Sequence, residues 1–270
     1  MLDSPRVLIK GGGDLASGVA HRLHQAGFLL LITELPRPLA VRRSVAFASA
    51  VMQGEAVVEG VRAQRISAPG EAPAIWARHE IAVLVDPQAE AGASLKPLSV
   101  VDAIVAKTNT GTHLTDAPIV IALGPGFTAA VDVHAVVETN RGHNLGRVYY
   151  SGSAEPDSGC PAPVRGVSQE RVLRAPAAGA FAGAVEIGAA VAAGALVGYV
   201  GAEPVRAAVN GVIRGLIADG THVSAGLKIG DIEPVGTAAH CFTISDKSRA
   251  IGGGVLEAIL HLLPGVRAPW

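Results

Sequence analysis

Residues 6–18 read Arg6-Val7-Leu8-Ile9-Lys10-Gly11-Gly12-Gly13-Asp14-Leu15-Ala16-Ser17-Gly18: an apolar run, a glycine turn, and the opening of a helical pattern that continues to Ala26. A short apolar run closed by glycines marks a buried strand, and apolar residues three and four apart after it mark a helix. The order then repeats, with a strand-like Phe28–Thr33 (FLLLIT) and a second helical pattern over Pro38–Met52. Two strand–helix units in succession predict a parallel sheet covered on both faces, the α/β class. Further strand candidates at Ile81–Val85, Val100–Ala106, Ile119–Leu123 and His134–Glu138 bring the expected sheet to six or seven strands.

The glycines also have a chemical reading. Gly11, Gly13 and Ala16 fit G-x-G-x-x-G/A directly after a strand and at the start of a helix, where glycine lets the backbone approach a pyrophosphate held by the helix terminus. Glu34 closes the next strand 23 positions after Gly11, near the spacing of a carboxylate that receives ribose hydroxyls. Residues 1–165 therefore read as a Rossmann-like, mostly parallel nucleotide- or cofactor-binding domain, with Gly11, Gly12, Gly13, Asp14, Ser17, Gly18 and Glu34 at its site. Asp14 departs from the pattern, because a carboxylate repels phosphate unless it caps the helix. The alternative is a glycine turn needed only for packing. Arg37, Arg42 and Arg43 follow Glu34 and offer either phosphate contacts or a solvated face.

Three later clusters follow predicted strands, at the edge where open α/β sheets bind ligands. Lys107, Asn109, Thr110, Gly111 and Thr112 suit an anionic, oxygen-rich ligand; Gly124 and Gly126 follow the next strand, and Arg141, Gly142 and His143 the one after. All are expected to face one ligand opposite the glycine loop, with Lys107 as a buried cation in need of an anionic partner. Asp132, His134, Glu138 and His143 match no recognised ligand spacing, so no metal is assigned. The absence of G-x-S-x-G, G-x-x-x-x-G-K-[ST] and C-x-x-C disfavours serine-hydrolase, P-loop and dithiol chemistry. Lys107 and Cys241 are the candidate catalytic groups; Cys241, near Lys247 and Arg249, reads either as a nucleophile or sulfur carrier or as an inert buried thiol.

Composition shifts at 152–166 to Gly, Pro and Ser around Cys160, which suggests a domain boundary. Beyond it the chain repeats itself. Residues 175–200 laid over 207–232 at an offset of 32 superpose Gly179 on Gly211, Gly188 on Gly220, Val191 on Val223, Gly194 on Gly226, Gly198 on Gly230 and Val200 on Ile232. One copy would leave an apolar face open, so two copies close on each other as a small β barrel-sandwich spanning 170–236. That repeat resembles a lipoyl or biotinyl carrier module, except that its hairpin Gly201–Arg206 has no lysine and Lys228 lies within the second copy. A rigid docking or lid element is expected in place of a swinging arm. Residues 240–270 carry a last helical pattern, Asp246–Leu263, returning to the first domain, with Gly252, Gly253 and Gly254 offering a second anion site.

The chain has 270 residues, 22 Lys+Arg against 23 Asp+Glu, and only 4% aromatic residues. A near-neutral chain without a basic face argues against nucleic acid or anionic membrane as a partner. The apolar stretch Ala180–Ala202 is punctuated by glycines and belongs to the repeat, so it is not read as a membrane span. Met1–Pro5 contains Asp3 and leads straight into a strand, so no signal peptide and a cytoplasmic location are expected. Homo-oligomerisation is left open.

Taken as blocks, KGGGDLASGVAHRL, TELPRPLAVRRSVAF, VDAIVAKTNTGT, LGPGF, ETNRGHNLGRV, GLKIGDIEP and ISDKSRAIGGGVLEAIL resemble the accessory proteins of the selenium-dependent molybdenum hydroxylase system. The resemblance implies a role like that of maturation factors for xanthine and carbon monoxide dehydrogenases. It would bind a nucleotide or molybdopterin dinucleotide and hand it to a molybdenum hydroxylase apoenzyme, with a selenium step undefined. The alternative is an NAD(P)-dependent oxidoreductase, for which the sequence offers no hydride-transfer partner set.

Overall fold

In the computed structural model, which describes residues 5–157, 159, 166–234 and 237–263, the first half of the chain alternates strands and short helices. Its elements are β1 (Arg6–Lys10), α1 (Asp14–Gln25), β2 (Leu29–Glu34), α2 (Ala50–Gln53), β3 (Glu55–Val58), β4 (Val61–Ile66), α3 (Ala72–Trp76), β5 (Ile81–Val85), α4 (Ala91–Leu95), β6 (Ser99–Asp102), β7 (Ile119–Leu123), β8 (Thr128–Ala129), β9 (Ala135–Val137), β10 (Val148–Tyr149) and β11 (Gly152–Ser153). Nine strands form one sheet in the order β10-β9-β7-β6-β1-β2-β5-β4-β3. Seven are parallel, while β3 and β10 close the edges as antiparallel neighbours. This is an α/β fold with a large, mostly parallel sheet. The central strands are apolar on both faces because both are covered: Val7, Ile9, Ile32 and Ile121 pack under α1 and a C-terminal helix. Leu8, Leu31, Leu84 and Val100 pack under α3 and α4, where Trp76 donates its indole N–H to Leu30 O at 2.9 Å.

The β-rich half runs β12 (Val172–Arg174), β13 (Gly179–Gly183), β14 (Ala190–Val191), β15 (Leu196–Val200), β16 (Glu203–Arg206), β17 (Gly211–Leu216), β18 (His222–Val223) and β19 (Lys228–Glu233). It has its own core around Phe181, Val197, Ile213, Ile229 and Ile232. Its ladders recur at an offset of 32. Val191 pairs with Gly211 as Val223 pairs with Gly179, Phe181 with Val200 as Ile213 with Ile232, and Gly198 with Val205 as Gly230 with Leu173. The two copies are thus cross-laced, each supplying a short strand to the other's sheet. No described helix is long and apolar enough to cross a membrane; Ala180–Ala202 is strand and turn.

The chain closes with α5 (Asp246–Leu262), capped by Ser245, whose Oγ accepts from Ser248 N. The glycines Gly252–Gly254 lie inside this helix, not before it, and so form no terminal anion site. They serve contact: a Cβ on Gly18 of α1 would come within 2.6 Å of Ser248 Cβ, and one on Gly252 within 2.8 Å of Gly18 O.

Other expectations are corrected. Pro38–Met52 is not one helix: an irregular arm leads to 3-10 turns at Arg43–Val45 and Phe47–Ser49 and then to α2. The arm's backbone is used elsewhere, with Val41 O accepting from Leu216 N and the Arg37 and Arg43 side chains donating to Gly220 O and Leu216 O. The hairpin β3–β4, turning through Glu59 and Gly60 at positive φ, enlarges the sheet beyond six or seven strands. The strand expected to reach Ala106 stops at Asp102. Cys160 and about half of the 152–166 boundary lie outside the described residues.

The helix contact makes a paired prediction. Gly18→Ala should lower unfolding free energy by about 2 kcal/mol or more through overpacking. Gly253→Ala, with nothing within 4 Å of its Cβ, should raise it by up to about 1 kcal/mol. Urea denaturation of both variants checks this; equal effects would contradict the backbone-contact account.

Candidate functional site

Above the carboxyl ends of β1, β2, β6 and β9 opens a cleft of about 1240 Å³. The sheet supplies its floor, and Arg171, Arg174, Arg214 and Lys228 of the β-rich half supply a wall, completed by Ser245–Lys247 at the start of α5. At the floor stands Lys10, the last residue of β1, only 7% exposed. Its Nζ donates to Thr112 Oγ1 at 2.5 Å, and Thr112 Oγ1 donates to Asp102 Oδ2 at 2.6 Å. Asp102 neutralises the ammonium from 3.9 Å. Thr112 is fully buried, so it holds Lys10 instead of touching a ligand.

The glycine loop has a different use from the one its spacing suggests. Gly12 N donates to Glu34 Oε1 at 2.7 Å and Leu35 N to Oε2 at 2.8 Å. Burial pushes the Glu34 carboxyl up while these amides pull it down. The carboxylate expected to receive ribose hydroxyls is therefore bound to the loop expected to receive pyrophosphate. Asp14 does not cap α1; it pairs with the buried Arg42 at 3.4 Å, and Arg42 also donates to His240 O and Thr243 O. Ser17 Oγ bridges Gly12 O and Phe47 N, a structural role, as is the helix contact of Gly18.

Of the later clusters, only Lys107 and Arg141 reach the cleft. Lys107 is half exposed and pairs with Asp157 at 2.6 Å, so it is not the buried cation the sequence suggested. Asn109 ties its own turn together, accepting from Gly111 N and Thr112 N. Thr110, Gly111, Gly142 and His143 are exposed and outside the lining; Gly124 abuts Thr139, and Gly126 backs onto the Lys107 backbone. Cys241 is fully buried with Sγ 3.5 Å from Ile213 O, and burial pushes its thiol up, the reverse of an activated nucleophile. Asp132, His134 and Glu138 each bind backbone amides, and among the described residues no three His, Cys, Asp or Glu are grouped to hold a metal.

Sequence reasoning passed over Lys10, although a lysine closing an otherwise apolar central strand was a signal. It also passed over Lys247 as a cleft residue. The Lys247 side chain has no hydrogen bond or ion pair among the described residues. Its pKa is lowered by burial; Asp14 opposes this, and Arg141 and Lys228 add to it.

No family model matches the chain. It is 50% identical over 263 residues to the Escherichia coli (strain K12) protein described as "Uncharacterized protein YqeB", an alignment covering 97% of this chain and 49% of that one. The chain thus spans about half the length of that curated relative. Two solved structures are similar at low scores. They are a succinylglutamate desuccinylase/aspartoacylase from Rhodobacter sphaeroides (14% identity, 85% of each chain, TM-score 0.28) and an aspartoacylase family protein from Mesorhizobium loti (12%, 87% and 86%, 0.27). Likeness at this level carries no activity across. None of these proteins is described as a molybdenum-hydroxylase accessory factor. With no family model behind the resemblance and Glu34 occupying the glycine loop, the maturation role, the selenium step, the molybdopterin dinucleotide and nucleotide cofactors, and the NAD(P) alternative are withdrawn, as is the Rossmann label attached to them.

At the cleft rim, Arg141 grips Asp246 with two hydrogen bonds of 2.7 and 2.8 Å and holds its carboxyl far below the usual range. A depressed carboxyl stabilises the fold above its unfolded pKa of about 3.9, and that contribution fades as pH falls below it. Asp246 is largely exposed, so Asp246→Asn should cost less than about 1 kcal/mol at pH 7. The gap to the parent should narrow between pH 4 and 2, as read by denaturant titration; a constant gap would refute the pairing.

Proposed function

We propose that this protein binds a small, acceptor-rich anion in the cleft between the sheet edge and the β-rich half. The observation that carries the reading is a surplus of donors. The cleft's carboxylates are already engaged: Glu34 by backbone amides, Asp86 by Glu90 N and Ala91 N, Glu155 by Asn140 and Asn144, and Asp231 and Glu233 by Arg171 and Arg214. Donors are left over: the Lys247 side chain has no acceptor among the described residues, and Lys10 Nζ has a single hydrogen-bond acceptor, Thr112 Oγ1. An ammonium donor left without an acceptor costs about 1–3 kcal/mol, and an anion rich in oxygen would recover that cost. With acids and bases interleaved along the walls, a compact anion fits better than a polyanion.

In this reading residues 1–165 with 240–270 form the binding body, and 170–236 a lipoyl/biotinyl-like barrel-sandwich domain acting as a fixed wall. The doubled ladders and the lysine-free hairpin Gly201–Arg206 support that assignment. Which anion is bound is a matter for ligand screening. At low ionic strength, small dicarboxylates, phosphate esters and sulfonates should raise Tm in a saturable way, the added stability reaching about 2.7 kcal/mol at one hundred times Kd, and Lys247→Met should blunt the response. Stabilisation by polyamines or neutral sugars alone, or by none of the anions, would overturn the proposal.

A further inference from the structure

Four of the chain's five lysines line the cleft, and three of these are held in place. Lys10 Nζ donates to Thr112 Oγ1, Lys107 pairs with Asp157 at 2.6 Å, and Lys228 lies 3.6 Å from the Asp231 carboxylate that also binds Arg171. Lys247 is the exception: its half-buried side chain reaches the cleft and meets no acceptor among the described residues. Its position also works against its charge. It is the second residue of α5, at the helix end where cations are unfavourable. The carboxylate next to it in the chain, Asp246, is taken up by two hydrogen bonds from Arg141. Of the charged groups that act on it, Arg141 and Lys228 oppose the ammonium, while Asp14 and Glu138 favour it. Asp14 is already paired with Arg42, and Glu138 accepts from two backbone amides. Burial is the largest influence, so this amine gives up its proton more readily than an exposed lysine does. A cation kept only to attract anions would gain from the opposite setting. An amine freed of its proton in a cavity has a nucleophilic lone pair, and the electrophile it takes without a cofactor is a carbonyl carbon.

The β-rich wall specifies the rest of the ligand. On it Lys228 and Arg171 draw on one carboxylate, and Arg174 donates to Gly226 O with no acid partner among the described residues. Lys228 is among the groups that act on Lys247, so this excess of positive charge lies beside the amine. We propose that Lys247 is a nucleophilic amine that condenses with the ketone or aldehyde carbonyl of a small oxo acid, whose carboxylate faces Lys228 and Arg174. The inference rests on the anion-cleft reading and names the ligand class. The Lys247 nitrogen attacks the carbonyl carbon, the C=O π pair moves to oxygen, and a proton passes from nitrogen to that oxygen, giving a carbinolamine. The hydroxyl then leaves as water, taking the proton released when the ammonium became an amine, and the nitrogen lone pair closes the C=N bond. One ammonium and one carbonyl thus give one iminium and one water. The iminium keeps the positive charge, so the balance of charge in the cleft is unchanged.

The test incubates the full chain at neutral pH with pyruvate or with glyoxylate, reduces it with sodium borohydride, and locates any adduct by peptide mass spectrometry. An ordinary lysine, with a pKa of about 10.4, is almost wholly ammonium under these conditions. One adduct is expected on Lys247, heavier than the lysine by the oxo acid less one oxygen atom. Lys247 should be labelled at least about tenfold more than the exposed Lys96 and Lys107. Malonate, an anion with no ketone or aldehyde, should leave no adduct and should compete with pyruvate. Lys247→Arg keeps the charge, removes the nucleophile, and should abolish the dominant adduct. Mapping of the wild-type chain decides the matter by itself if that variant does not fold. Labelling spread evenly over the lysines, or no adduct with either oxo acid, overturns the imine. So does an adduct on Lys247 that forms equally well with acetaldehyde and ignores malonate, since the carboxylate would then have no seat. If malonate and other anions raise Tm while Lys247 stays unmodified, the imine falls and the cleft reading stands. If there is neither an adduct nor stabilisation by any anion, both fall.

Discussion

The backbone contact between α1 and α5 is the constraint on which the site depends. Gly18 and Gly252 let the helices approach until a single added carbon would collide with the opposing chain. Close packing at that point brings Gly13–Leu15 and Ser245–Lys247 to the same cleft, although they are more than 200 residues apart in sequence. Three glycines inside a helix are costly, about 1 kcal/mol each relative to alanine. Gly18, Gly252 and Gly254 face neighbouring backbone, whereas Gly253 has open space around its Cβ position. Arg42 then fixes the approach to α5 by bonding His240 O and Thr243 O while its other end holds Asp14.

Charge is distributed in two tiers. Deep inside, Lys10 and Asp102 cancel through a buried threonine. Along the walls, Arg171 and Asp231 pair within the β-rich half and Arg141 and Asp246 pair at the rim. A buried pair of this kind gives little net stability, since desolvation offsets its attraction.

Much of the large sheet could be read from the chain. The runs at β5 and β7 are apolar throughout and those at β1 and β2 apolar except at their ends, a pattern that strands buried on both faces have. The edge hairpin escaped because its strands alternate, Ala56 and Val58 inward against Glu55 and Val57 outward, and the Glu59–Gly60 turn between them was the signal left unused. The site was legible only in part. Spacing located the glycine loop and Glu34 at one edge, yet spacing cannot tell a carboxylate that waits for a ligand from one that has turned to its own loop. Reasoning that a buried lysine needs a partner was sound but was attached to Lys107, which lies in an exposed turn. The lysine that meets the condition ends β1, and Thr112, taken for a ligand contact, is its support. Side-chain direction at strand ends decides such questions, and it is set by tertiary contacts that motif spacing does not encode.

The lacing of the two β copies bears on how the chain comes to be folded. Since Val191 needs Gly211 and Gly179 needs Val223, neither copy can complete its sheet before both have left the ribosome. Strand pairing across such separations is slow compared with helix formation. During synthesis the segment from Val172 onward therefore stays open until Glu233 emerges, with Phe181 and Val197 still wet. The large sheet has the same dependence one step further along: α5, which covers one of its faces, is made only after the whole β-rich half. This is a chain that collapses late and all together, and its apolar strands are most exposed to wrong partners while translation is still under way.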